Sequence, residues 1–209
     1  MFTRTGILCV VSGPSGSGKT TLCRATDAVE ENLHYTTSCT TRPMREGEVD
    51  GEDYFFLGEE EFERRVTAGE FLEHARVHGN LYGTLKSEVT GHLAEGRDVI
   101  MDLDVQGAAL IRECRDEAIA AASIDVFIML PSIPGLRARL DQRATEGEAE
   151  LALRLKNAIA ESREWHRYDY VLMSESRESD LVRFREILAV ERLRSCRLTP
   201  GGDGDLFAS

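Results

Sequence analysis

Lysine is scarce in this chain, and its basic charge is mostly arginine. Only Lys19, Lys86 and Lys156 stand in 209 residues, and 37 acidic against 25 basic side chains leave a formal net charge of -12. General nucleic-acid binding needs a basic face, so the charge argues against that partner, and any anionic ligand must be held by a few locally placed cations. The five cysteines, Cys9, Cys23, Cys39, Cys114 and Cys196, form no C-x-x-C pair. Their odd number fits free thiols in a reducing compartment. Five histidines without an H-E-x-x-H give a zinc site no support. No apolar run approaches the ~20 residues of a membrane helix, and MFTRTGILCVVSG leaves too little chain before its apolar run for a cleavable signal. A cytoplasmic protein with no membrane partner is the expectation.

What is present begins with GILCVVSGPSGSGKTT, Gly6 to Thr21. Ile7 to Val11 reads as a buried strand, followed by a glycine-rich turn and a helix start. Gly13, Gly18, Lys19 and Thr20 fill every fixed position of the phosphate-binding loop G-x-x-x-x-G-K-[ST]. Glycines let successive backbone N–H groups wrap an anion, and the new helix aligns its N–H groups and positive dipole end on the same phosphates. One of three lysines falling on the required position, in the required strand-to-helix context, sets this apart from a chance glycine turn. Lys19 is expected to reach the outer phosphates and the Thr20 hydroxyl to ligate Mg²⁺. Gly13, Pro14, Ser15, Gly16, Ser17, Gly18, Lys19, Thr20 and Thr21 form the expected ATP-binding set.

Along the chain, Thr21 to Glu31 continues the helix, and Asn32, Leu33 and His34 break its pattern. From Tyr35 to about Glu95 the composition shifts to hydroxyls, arginines, turn glycines and short β-branched or aromatic runs. This reads as a small mixed insertion (35–96) between the first and second strands of a main sheet. It includes a helix in GEEEFERRVTAGEF, strands Phe71 to Val77 and Asn80 to Thr84, and a helix from Leu85 to Glu95 closed by Gly96. Arg97 to Asp104 is the next core strand, and alternation places Asp102 and Asp104 on one side of its carboxyl end. In doubly wound sheets that end faces the ligand crevice, where an aspartate commonly holds Mg²⁺ directly or through water. Helix Val105 to Ala118, strand Ile124 to Leu130 and helix Pro134 to Arg143 follow. A long helix from about Glu148 to His166, strand Tyr170 to Met173 and helix Asp180 to Ser195 complete the core (1–34 and 97–198). Arg137, Arg139, Arg143 and Arg154 concentrate cations around a polar hinge, a lid at about 137–156, since guanidinium forks grip phosphate oxygens bidentately. Residues 199–209 read as a flexible tail. The fold class is α/β, a phosphate-loop parallel sheet flanked by helices.

A phosphate loop alone also fits a GTPase switch, and Asp104-Val105-Gln106-Gly107 matches D-x-x-G, but no N-K-x-D base-reading motif exists here. The insertion decides. Ser38-x-Thr40-Thr41-Arg42-x-x-Arg45-x-Gly47-Glu48, Gly51-x-x-Tyr54, Glu70-Phe71-x-Glu73 and Tyr82-Gly83-Thr84 closely resemble the monophosphate site of the guanylate kinase family. Asp102-x-Asp104-x-Gln106-Gly107 and Arg139-Leu140-x-x-Arg143-x-Thr145-Glu146 extend the resemblance, in the family's order, over Gly6 to about Glu191. It implies phosphoryl transfer from ATP to GMP or dGMP with Mg²⁺ on Thr20 and Asp102, by a monomer or homodimer. Arg42, Arg45, Tyr54 and Tyr82 would hold the GMP phosphate; Ser38, Glu73, Thr84 and Asp104 would read guanine. Lys19, Arg139, Arg143 and Arg154 would stabilise the transferring group. Carboxylates match the N1 and N2 donors of guanine, and hydroxyls its O6.

The chain departs from the family pattern at three places: Pro43 lies two residues before Arg45 instead of one, Ala144 stands at a usual glycine, and Ser174-Glu175 replaces an Asn-Asp pair, leaving an adenine contact there open. Guanylate-kinase-like interaction modules, the rival class, typically have a damaged phosphate loop and lack lid arginines, whereas here the loop is intact and the lid arginines are present.

Overall fold

The computed structural model describes residues 2–77, 79–141 and 148–200. Strand β1 (Phe2–Arg4) is followed by β2 (Leu8–Ser12), helix α1 (Lys19–Asp27), β3 (Leu33–Tyr35), β4 (Cys39–Thr40), β5 (Phe55–Phe56), α2 (Glu59–Thr67), β6 (Phe71–Val77) and β7 (Asn80–Leu85). After a 3₁₀ turn (Lys86–Glu88) come α3 (Thr90–Ala94), β8 (Asp98–Asp102), α4 (Val105–Arg112), α5 (Glu117–Ala122) and β9 (Ser123–Met129). The chain continues with α6 (Ile133–Asp141), α7 (Glu148–Ser162), β10 (Tyr170–Met173), α8 (Arg177–Glu191) and β11 (Leu198–Pro200).

Five strands in the order β10-β9-β2-β8-β3 pair in parallel to form the main sheet. Every residue of β2 is buried, as expected of a parallel strand covered by helices on both faces. Its side chains alternate: Cys9 and Val11 enter one core with Leu22 of α1 and Phe184 and Leu188 of α8. Leu8 and Val10 enter the other, with Met101, Ile111, Ile119 and Phe127.

Four strands in the order β5-β4-β7-β6 make a second sheet. Its small core stacks Phe62 of α2 on Phe71 at 4.4 Å between ring centroids, beside Cys39 and Leu85.

Several expectations are corrected. Leu33–Tyr35 is a core strand, registered against Asp98 to Ile100, so Asp98–Asp102 is not the second strand of the main sheet and Tyr35 does not open the insertion. Three residues are too few to display a period, and tertiary pairing supplies the rest, with the Arg97 guanidinium donating twice to the Leu33 carbonyl at 3.1 and 2.8 Å. Val89 and Leu93 pack into the main-sheet core, so the segment before Gly96 belongs with that sheet.

The helix expected over Val105 to Ala118 is two helices. Asp116 accepts from the Ala118 and Ile119 amides and caps a new start. Leu198–Pro200 is not a frayed end, because it pairs antiparallel with Phe2–Arg4. The remainder of the expected tail, 201–209, lies outside the described residues.

Candidate active site

The carboxyl end of β2 turns directly into the phosphate loop, with Gly13, Gly16 and Gly18 at φ of 143°, 83° and 102°. A Cβ on Gly13 would stand 2.4 Å from the Ile128 carbonyl oxygen, so the turn requires glycine there. Helix α1 opens at Lys19 without a side-chain cap; its first N–H groups are thus left for an anion. The Lys19 ammonium is folded into the loop, donating to the Gly13 and Pro14 carbonyls at 2.8 and 3.3 Å. Burial pulls its pKa below the usual lysine range, against the opposing charge of Asp102. The Ser15 amide donates to Glu161 of α7 at 3.1 Å.

Asp102 ends β8 opposite Val11 in register. One carboxylate oxygen accepts from Thr20 Oγ1 at 2.7 Å and the other from the Tyr35 hydroxyl at 2.6 Å. Arg139 of α6 donates to the Ser17 carbonyl at 2.9 Å and to Ser174 Oγ at 3.1 Å, and Ser174 in turn donates to buried Asp180 at 2.6 Å. Arg154 lies half-buried on α7. Arg143, like Ala144, falls outside the described residues.

A pocket of about 360 Å³ lies between the two sheets, and Ser38, Tyr54, Glu73, Tyr82 and Asp104 all line it together with Thr20 and Asp102. Strands β6 and β7 position the buried Glu73 beside Thr84, whose hydroxyl donates to it at 2.9 Å. The Ser38 and Thr84 hydroxyls are 3.3 Å apart. Desolvation pushes the Glu73 pKa up to about 7, a shift its hydrogen bonds from Thr84 oppose. Asp104 reaches the pocket as the cap of α4, accepting from the Gln106 and Gly107 amides at 3.1 and 2.8 Å, rather than as a residue of β8.

The expected phosphate arginines stand further back. Arg42 forks onto Glu48 at 3.0 and 2.7 Å and lies over the rings of Tyr54 and Phe56 at 5.4 and 5.6 Å. Glu48, which also accepts from the Arg45 amide at 2.7 Å, lines the pocket in front of it. Its carboxylate thus occupies the kind of anion seat a phosphate oxygen would take. Arg45 itself is exposed.

A second cavity, of about 300 Å³, opens on the other side of the loop between Gly16, Gly18, Thr21, Arg139, Arg177 and Asp180. Thr20 faces the first cavity and Thr21 the second. One helix turn therefore separates two nucleotide-sized cavities.

The family model described as Guanylate kinase matches residues 5–191. This chain belongs to the guanylate kinase family. It is similar to the guanylate kinase of Symbiobacterium thermophilum, 44% identical over 92% of this chain and 89% of that one, and to that of Thermotoga maritima, 43% identical over 92% and 90%. Among solved structures, the guanylate kinase from Anaplasma phagocytophilum superposes with a TM-score of 0.78 at 33% identity, covering 95% of this chain and 93% of that one. A shikimate kinase from Bacteroides thetaiotaomicron, at 18% identity and a TM-score of 0.50, shares the fold alone. Guanylate kinase motifs quoted from the sequence did not single out Tyr35, Arg24, Asp53 or Asp180. Tyr35, Arg24 and Asp53 act through side-chain partners 67 or 29 residues away, a pairing no local pattern records, and Asp180 acts on Ser174, six residues before it, which no quoted motif links to it.

Proposed function

We propose that this guanylate kinase transfers the γ-phosphoryl group of ATP to the phosphate oxygen of GMP or dGMP. The observation that carries this reading is the pair of cavities on either side of Thr20 and Thr21, one of them walled by the buried Glu73 carboxyl and the Ser38 hydroxyl, groups matched to guanine, with the Thr84 hydroxyl bonded to both. The acceptor oxygen is already anionic and needs no general base, so the chain contributes position and charge. The loop amides and Lys19 would cradle the donor phosphates. Arg139, already bound to the Ser17 carbonyl, would exchange that partner for a transferring oxygen, with Arg143 and Arg154 assigned beside it. Tyr54, Tyr82, Arg42 and Arg45 would hold the acceptor phosphate once Glu48 yields the Arg42 fork.

Thr20 and Asp102 bring two hard oxygens within 2.7 Å of each other at the loop, and no cluster of three or more acidic, histidine or cysteine side chains among the described residues could hold a metal. That set fits Mg²⁺, which is usually held by one or two protein oxygens plus substrate phosphates. When bound, the ion would neutralise charge developing on the phosphates. No helix among the described residues is long and apolar enough to cross a membrane. We assign the chain to the cytoplasm, where its five free thiols would stay reduced.

A coupled assay with ATP·Mg²⁺ and GMP, dGMP, AMP or UMP checks the reading: turnover is expected with GMP and dGMP, at on the order of 10⁴ times the efficiency with AMP. Turnover with AMP alone would overturn it.

The Glu73 pKa of about 7 adds a pH dependence. Guanine N–H donors favour the ionised carboxyl, so the complex binds fewer protons than the free enzyme. Affinity is therefore full above pH 7 and weakens as pH falls through it. From pH 8 to pH 6, KM for GMP is expected to rise about tenfold. Flattening of that profile in Glu73→Gln distinguishes it from ionisation of the GMP phosphate itself.

A further inference from the structure

Arg24 points out of α1 into the mouth of the acceptor pocket, which it lines together with Asp53 from the far wall. Its Nη2 donates to Asp53 Oδ1 at 2.5 Å. The other Asp53 oxygen accepts from the Val49 amide at 2.9 Å, the Asp53 amide donates to the Val49 carbonyl at 3.0 Å, and the Gly51 amide donates to the Tyr54 carbonyl at 2.8 Å. One carboxylate thus organises the turn over 49–53 and anchors it to the main-sheet body. The residue after Asp53 is Tyr54, whose ring lies against Arg42 at 5.4 Å. On the other side of the ion pair, Arg24 follows Lys19 by five residues of one helix, about 7.5 Å along its axis.

We propose that Arg24 is a positioning residue for phosphoryl transfer, tying the helix that begins at the phosphate loop to the turn that presents Tyr54, and so fixing the distance between donor and acceptor phosphates. The inference rests on the guanylate kinase reading above. Loop and turn belong to different parts of the fold, with α1, β3 and β4 between them in the chain, and a transfer in line tolerates little error in their spacing. A cation on a rigid helix is a suitable strut, because its contact with Asp53 is a hydrogen bond as well as a charge pair. Neither partner touches the residues assigned to guanine. The pair should therefore affect acceptor placement without changing base choice.

The test uses Arg24→Ala, Arg24→Lys and Arg24→Glu in the full chain, each also made with Asp53→Asn, which keeps an oxygen for the Val49 amide. The Arg24 side chain is 57% exposed, so none of these changes disturbs the core. Arg24→Ala is expected to raise KM for GMP roughly threefold to fivefold, the range of a partly exposed ion pair, and to leave KM for ATP and the GMP/AMP preference unchanged. Arg24→Lys should recover most of the loss, Arg24→Glu should exceed it, and the effect of Arg24→Ala should vanish beside Asp53→Asn. Hydrogen exchange on the nucleotide-free protein should be faster over 49–54 in Arg24→Ala. A KM within 1.5-fold of the original, unaltered exchange over 49–54, or the same Arg24→Ala effect with and without Asp53→Asn would each overturn the proposal. Absence of GMP turnover by the unsubstituted chain would instead overturn the functional reading, and the exchange measurement would still decide whether Arg24 holds the turn.

Discussion

Lys19→Ala is expected to lower turnover by roughly 10³-fold, the scale of losing a preorganised donor to developing charge, while GMP affinity stays within about twofold. Lys19 is folded back on the Gly13 and Pro14 carbonyls of the loop and is not among the residues lining the acceptor pocket. The expected loss is therefore confined to the donor phosphates. Because burial already pulls the lysine pKa down, truncation removes a desolvated cation, and the fold is not expected to suffer. Single-turnover transfer, GMP calorimetry and thermal unfolding on the same sample separate the three quantities.

Glu73→Gln is expected to cut kcat/KM for GMP by about 10²-fold to 10³-fold and to shrink the GMP/AMP preference by at least as much. The amide can accept one guanine hydrogen but turns donors toward the other, leaving buried groups unpaired. Adenine N1, a bare acceptor, gains a partner from the same change. Stability should move the other way. The folded-state pKa of about 7 lies above the ordinary glutamate value of 4.5, so ionising Glu73 destabilises the fold progressively as pH rises from 4.5 through 7. An uncharged amide escapes that penalty, and the unfolding temperature of Glu73→Gln at pH 8 should equal or exceed that of the original chain. Lost activity with a retained melting point then reads as lost recognition.

The sequence carried the site's chemistry better than its mechanics. The phosphate loop was legible because its glycines, lysine and threonine are contiguous and lie between a strand and a helix. Ser38, Glu73 and Asp104 were legible through motif spacing, although Asp104 enters the pocket as a helix cap rather than from strand alternation. Leu33–Tyr35 was not legible, since its place in the sheet depends on pairing with β8, more than sixty residues away. Nor was β11, whose partner β1 is at the opposite end of the described chain. Ion pairs are hardest of all: Glu48 stands in the quoted motif, yet the motif does not record that its carboxylate holds Arg42 six residues away.

Calorimetric titration of GMP and of AMP into Lys19→Ala tests most directly whether two separate anion cradles flank α1, one for each nucleotide. The expected result is GMP binding at the affinity of the original chain, with no heat from AMP. Loss of the GMP signal along with turnover, or equal heats from the two nucleotides, would contradict it.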